Sequence, residues 1–266
     1  MSAENGRHPI IKTDKVTMIF GGLMALDEVD FEVARSSITA LIGPNGAGKT
    51  TFFNCLTGIY TPTRGKIVFM PEGGAGPVSI KGLSPDKVTA KGVARTFQNI
   101  RLFNNLTVLE NVLIGCHCRM KAGLLGALFR DKRTMAEERA MAEYSYHLLD
   151  KYGLGAAVND LAKNLPYGAQ RRLEIVRALA TRPQLLLLDE PAAGLNIGET
   201  RELEDLIRLI RERENLSILL IEHDMNLVMS ISEQIYVMEY GRLIARGEPE
   251  QIKNDPKVIK AYLGEE

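Results

Sequence analysis

Eight residues between an apolar run, Ile38 to Ile42, and a helical stretch from Lys49 can do specific chemistry: Gly43, Pro44, Asn45, Gly46, Ala47, Gly48, Lys49 and Thr50. A glycine, four residues, then Gly-Lys-Thr, set between a strand and a helix, is the spacing of a phosphate-binding loop. The glycines let successive backbone N–H groups converge on phosphate oxygens, and the helix start adds its positive dipole end. Lys49 can reach β- and γ-phosphates, and the Thr50 hydroxyl can ligate Mg²⁺. Far downstream, Asp189 and Glu190 close the run Leu185–Leu188. A carboxylate at the end of a buried strand can hold Mg²⁺, directly or through water, and its neighbour can polarise an attacking water as general base. Alone, the first motif reads as a glycine-rich turn and the second as a capped strand. Together they imply a site for a nucleoside triphosphate with Mg²⁺.

Such a site needs a strand on either side of it and helices behind. Val29, Phe31 and Val33 alternate with Asp30 and Glu32, the pattern of a half-buried strand. Ile38–Ile42 predicts a buried strand, and Gly58 is a natural stop for the helix from Lys49. Residues 65–80 read as two short strands about a glycine-rich turn at 73–76, and Ser84-Pro85 announces a short helix. Residues 107–152 predict mainly helix, with Met141, Tyr144, Leu148 and Tyr152 on one face. A helix over about 170–180 leads into the strand 185–190, and an amphipathic helix over 199–213 into the strand 216–223. A hairpin turning at Gly241 and short helical segments complete the chain. Strands alternating with helices around an all-helical middle predict an α/β fold: a mostly parallel core sheet, an antiparallel N-terminal part and a helical insertion.

Composition narrows the class. The 266 residues carry 33 Lys+Arg against 33 Asp+Glu, 45% hydrophobic residues and three cysteines. These values argue against disorder, and zero net charge with no basic stripe argues against nucleic acid as a partner. Three cysteines are too few for a disulfide framework and suit a reducing compartment. No apolar run approaches the ~18 residues of a membrane span, and the first residues lack a signal-peptide core. The expectation is a cytoplasmic protein.

The order of the motifs identifies a family. Phe20, GPNGAGKTT through Thr51, Gln98 within RTFQN, LPYGAQRR, LLLLDEP, AAGLN and His223 within IEHD occur in the sequence. The chain strongly resembles the ATPase subunits of ABC transporters over nearly all its length. The resemblance implies a single cassette over 8–266, with a RecA-like core at about 8–98 and 170–245, a helical subdomain at about 99–169 and a tail at 246–266. It implies that Phe20 stacks on the adenine of ATP, that Gln98 senses Mg²⁺ and the attacking water, and that His223 contacts the γ-phosphate. Pro166, Tyr167, Gly168 and Ala169 stand where the family has its signature, which acts in trans on a second cassette packed head to tail. Two positions depart from the pattern. Pro166 has neither the usual serine hydroxyl nor an N–H, and Asn196 stands where an aspartate is usual, so the site receiving this signature is expected to be weaker. L-x-Y-G-x-Q-R-R-L-E-I, the long segment between Asn111 and Leu165, and the ending DPKVIKAYLGEE are most similar to the LivG-type ATPases of bacterial branched-chain amino acid importers. That resemblance implies two membrane permeases, a second ATPase or a second copy of this chain, and indirectly a periplasmic binding protein. It implies peripheral attachment to the inner face of the cell membrane.

Other readings compete. An ATPase of lipopolysaccharide or lipid export is the nearest, against which stand Pro166-Tyr167 and the long helical insertion. A soluble ABC ATPase of DNA repair or translation would commonly carry two cassettes, or coiled-coil or zinc insertions. A P-loop nucleotide kinase leaves Gln98 and His223 unexplained. Cys116-His117-Cys118 reads as ordinary helix, since three consecutive side chains cannot easily converge on one ion. The basic and apolar segment 119–133 suits a permease-side or membrane-proximal position. Arg171 and Arg172 read as charges of the signature helix.

Overall fold

The computed structural model describes residues 8–73, 76–119 and 132–263. The middle of the 73–76 turn, most of the 119–133 segment and the last three residues lie outside the described residues.

Two sheets meet over the phosphate loop. The first is antiparallel, in the order β2-β1-β4-β5: β1 (Pro9–Phe20), β2 (Leu23–Ala34), β4 (Arg64–Phe69) and β5 (Val78–Ser79). Its first strand carried no clear alternation, because the ladder slips between Thr13 and Val16. There the buried Thr13 hydroxyl replaces a strand partner, donating to Val29 O at 2.9 Å and accepting from Phe31 N at 2.9 Å.

The second sheet has six strands in the order β10-β9-β3-β8-β7-β6, with β3 (Ile38–Ile42), β6 (Val93–Arg95), β7 (Leu185–Asp189), β8 (Ser217–Ile221), β9 (Gln234–Glu239) and β10 (Arg242–Gly247). All its pairings are parallel except the closing β9–β10 hairpin. Every residue of β3, β7 and β8 is buried, which is why these strands read as continuous apolar runs rather than alternating ones. The short β6, three residues long, gave no periodic signal.

The helices are α1 (Lys49–Leu56), α2 (Pro85–Lys91), α3 (Val108–Cys116), α4 (Lys132–Lys151), α5 (Tyr167–Ala180), α6 (Ile197–Glu214), α7 (Met225–Ile231), α8 (Pro249–Lys253) and α9 (Pro256–Leu263). Between the sheets, the Phe31 ring packs edge-on against Phe52 of α1 and 4.2 Å from Tyr236 of β9. A second core gathers α3, α4, α5 and α6, with Leu148 and Tyr152 buried and Met141 and Tyr144 packed at its edge, the face expected from their spacing. Cys116 is buried there beside Ser145, while Cys118 is exposed on the following turn, so the two thiols face different surroundings.

Two element boundaries differ from expectation, and both matter. Helix α5 begins at Tyr167, not near Gln170: Gln170 N donates to Pro166 O, closing a turn three residues earlier. Helix α6 starts at Ile197 because Asn196 and Glu199 form a reciprocal capping box, each side chain accepting the other's backbone N–H at 3.0 Å.

Candidate functional site

The loop 43–48 joins β3 to α1, and its glycines are required for different reasons. A Cβ on Gly43 would lie 2.0 Å from Met238 O, and one on Gly48 2.7 Å from Ala25 O. The loop is thus clamped between β9 and the start of β2. Gly46, at φ +80 with open space around it, needs only the left-handed backbone. Gly48 caps α1 without a side chain, so the amides of Lys49, Thr50 and Thr51 have no acceptor within the helix and form an anion site. Lys49 Nζ donates to Gly43 O at 2.7 Å and Pro44 O at 2.9 Å, and burial lowers its pKa against the pull of Glu190 and Asp189. A cationic group buried beside two carboxylates and a ring of free amides fits a polyphosphate with Mg²⁺.

The two carboxylates face different partners. Asp189 ends β7 and is buried against Arg95 of β6, whose Nη2 lies 2.6 Å from its Oδ2. The same guanidinium donates through Nη1 to Asn54 Oδ1 at 2.7 Å and sits between the rings of Phe53 and Phe97. Arg95 thereby ties Asp189 to α1, whose other end carries Lys49 and Thr50. Glu190 turns out of the strand into a left-handed conformation, φ +47, which a non-glycine residue adopts rarely. That turn sends its carboxylate to Gln98 and His223. Gln98 Nε2 donates to Oε2 at 2.6 Å, and His223 Nε2 stands 2.9 Å from Oε1. Glu190 is held at both oxygens by residues distant in sequence.

Behind His223 lies Glu222, a buried carboxylate accepting from Ala192 N at 2.6 Å, His223 N at 2.9 Å and Asp224 N at 3.3 Å. Burial pushes its pKa up, against those three N–H donors. Arg95 and Glu222 were not singled out from the sequence. Each had a signal, a charge at the edge of an apolar strand, but their partners lie 94 and 30 residues away.

The remaining candidates fall in two places. Phe20 is exposed at the β1–β2 hairpin, edge-on to Tyr60 at 5.2 Å. It pairs with Leu23, two residues before the Ala25 that touches Gly48. Residues 166–169 lie against the 193–199 segment: Tyr167 Oη donates to Ala193 O at 3.1 Å, and Gly168 faces Glu199. Tyr167, Gly168 and Ala169 are the first turn of α5, with Pro166 as its N-cap and no side-chain cap. Three backbone N–H groups therefore stay available there.

A clamped phosphate loop after β3, an acidic pair at the end of β7, one strand removed from it across β8, and a second helix start near that pair define a P-loop ATPase cassette. The sequence pattern of the ABC transporter family matches residues 26–193, and the chain belongs to that family. It is an ATPase that uses ATP with Mg²⁺. A second pattern, described as a branched-chain amino acid ATP-binding cassette transporter, matches 242–266. The chain is 49% identical to the high-affinity branched-chain amino acid transport ATP-binding protein BraF of Pseudomonas aeruginosa, over 97% of this chain and 98% of that protein. It is 47% identical, with the same coverage, to the corresponding protein LivG of Escherichia coli K12. Among solved structures, the ADP conformation of an ATP-binding cassette of an ABC transporter superposes with a TM-score of 0.82 at 32% identity, covering 97% of this chain and 100% of that one. A nucleotide-free ATP-binding cassette gives 0.82 at 33% with the same coverage.

Proposed function

We propose that this chain hydrolyses ATP to drive a membrane importer of branched-chain amino acids. The single observation behind the hydrolytic part is Glu190, gripped at opposite oxygens by Gln98 and His223 beside the phosphate loop. A carboxylate so fixed is suited to orient a water and accept its proton, rather than to activate a second substrate. In this reading, the amides of the loop and Lys49 hold the β- and γ-phosphates, Thr50 and Asp189 hold Mg²⁺ with Gln98 near it, and Phe20 stacks on adenine. Bound Mg²⁺ supplies charge neutralisation on the phosphate oxygens. His223 steadies the γ-phosphate end. The first turn of α5, residues 167–169, offers its N–H groups to the nucleotide of a second cassette.

The transport part rests on the similarity to BraF and LivG along nearly the whole chain, together with the match at 242–266. Among the described residues no helix is long and apolar enough to cross a membrane, so the reading requires separate permease subunits. A groove whose lining includes Phe103, Ile114, Arg177 and Thr181, with Phe103 and Ile114 exposed, supports their attachment at the inner face of the membrane. A second ATPase chain or a second copy of this one completes the assembly, and a periplasmic binding protein delivers the cargo to it.

A mild-detergent pull-down of the tagged chain from its native membranes tests this reading. Two permeases of amino-acid type with a second short ATPase are the expected companions. Recovery of lipid-export permeases, or of ribosomes or DNA-repair proteins alone, would sink the importer while leaving the ATPase intact.

A further inference from the structure

Arg171 is one of the largest fully buried side chains of the protein, 1% exposed, and the phosphate chemistry does not use it. It lies in the second turn of α5, just past the residues offered in trans. Its guanidinium Nη1 donates to Phe97 O at 2.7 Å and Nη2 to Gln98 O at 2.6 Å. One turn further on, Glu174 accepts from Arg171 Nη1 at 2.8 Å through Oε2 and from Arg101 N at 3.1 Å through Oε1. The pair thus clasps the 97–101 loop at both ends, through backbone rather than side-chain atoms. Taking such an ion pair out of water costs several kcal/mol, and an apolar pair of similar volume is often no less stable. What the apolar pair lacks is a rigid planar fork that fixes two successive carbonyls at once.

We propose that Arg171 is a positioning residue that makes the Gln98 loop and the first turn of α5 one mechanical unit. Gln98 reaches Glu190 with its side chain while its own carbonyl is held by the helix that carries residues 167–169. Seating Gln98 at this chain's nucleotide and presenting 167–169 to the partner's nucleotide are then one movement. The proposal rests on the reading of Gln98 and 167–169 given above.

Hydrogen exchange of the full chain, with and without Mg²⁺ and a non-hydrolysable ATP analogue, tests it. In the wild type, nucleotide slows exchange at 43–51 and changes exchange at 96–101 and 165–172 together. In R171L/E174L, an apolar replacement for the pair, the first two responses persist and the response at 165–172 is lost. In R171K, whose ammonium keeps the charge but not the fork, the 165–172 response is reduced. A purely structural staple would be rescued by lysine and would lower melting temperature without uncoupling the segments. Retention of the wild-type response at 165–172 in either variant overturns the proposal, as does a wild type in which 165–172 ignores nucleotide. Silence at 43–51 would overturn the nucleotide site itself, and this proposal with it.

Discussion

At the scale of single residues, Glu190 and Lys49 should separate cleanly. Glu190→Gln preserves the shape of the group held by Gln98 and His223 but removes the proton acceptor, so turnover should fall by ~10²–10⁴ with nucleotide affinity retained. Lys49→Ala should instead weaken binding, measured with a fluorescent nucleotide. Glu222 offers a pH test. Burial raises its pKa above the ordinary 4.5, so the folded chain holds this proton to higher pH than the unfolded chain does. Its contribution to stability is then full below the ordinary value and lost as pH rises through the folded one. Glutamine does not titrate, so the melting temperature of Glu222→Gln should improve relative to wild type as pH rises above the ordinary carboxylate value of 4.5. The opposite trend would mean that the three N–H donors outweigh burial. The phosphate loop and the acidic dyad were legible in the sequence because their chemistry is local, carried by consecutive residues. Arg95, Arg171 and Glu222 were not, since what each one holds is 94, 74 and 30 residues away. Arg171 in particular read only as a charge of the signature helix, and the 97–101 loop packed against it shows it to be buried.

Among the elements, the buried parallel strands were the most legible and the helix starts the least. Helix α5 was expected near Gln170 and begins at Tyr167, with Pro166 as its N-cap. A proline is compatible with the residue just before a helix, where its extended ψ of 152° and missing N–H cost nothing. The consequence changes how the signature departure is understood. Pro166 is the N-cap, so the amides of Tyr167, Gly168 and Ala169 remain as donors even without the serine. Pro166→Ser therefore has two separable effects. A serine cap should stabilise α5 by ~0.5–2 kcal/mol, visible as a higher melting temperature of the isolated chain. Its added hydroxyl and N–H should raise ATPase activity in the assembled complex. A more stable chain with unchanged activity would show that the three amides already suffice.

For the whole molecule, the phosphate loop is the place where separate parts of the chain converge. Met238 of β9 and Ala25 of β2 close on its glycines, and Arg95 ties α1 to the acidic strand. The C-terminal helix also returns there: burial raises the Tyr262 pKa, and the backbone N–H of Gly43 draws it back. A ligand in such a place bridges both sheets and should stabilise the fold as one unit. By mass action, Mg²⁺ with ATP at ~100 times the dissociation constant adds ~2.7 kcal/mol to the folded state. For a chain of this size that corresponds to a melting temperature about 5–10 °C higher. Glu190→Gln is the right background, because it keeps the ligand intact through the scan. Chelating the metal should remove part of the gain, since Asp189 and Thr50 would then face the phosphates without their shared cation. Lys49→Ala should abolish most of it. If nucleotide stabilises Lys49→Ala as much as Glu190→Gln, the ligand is held somewhere other than this loop.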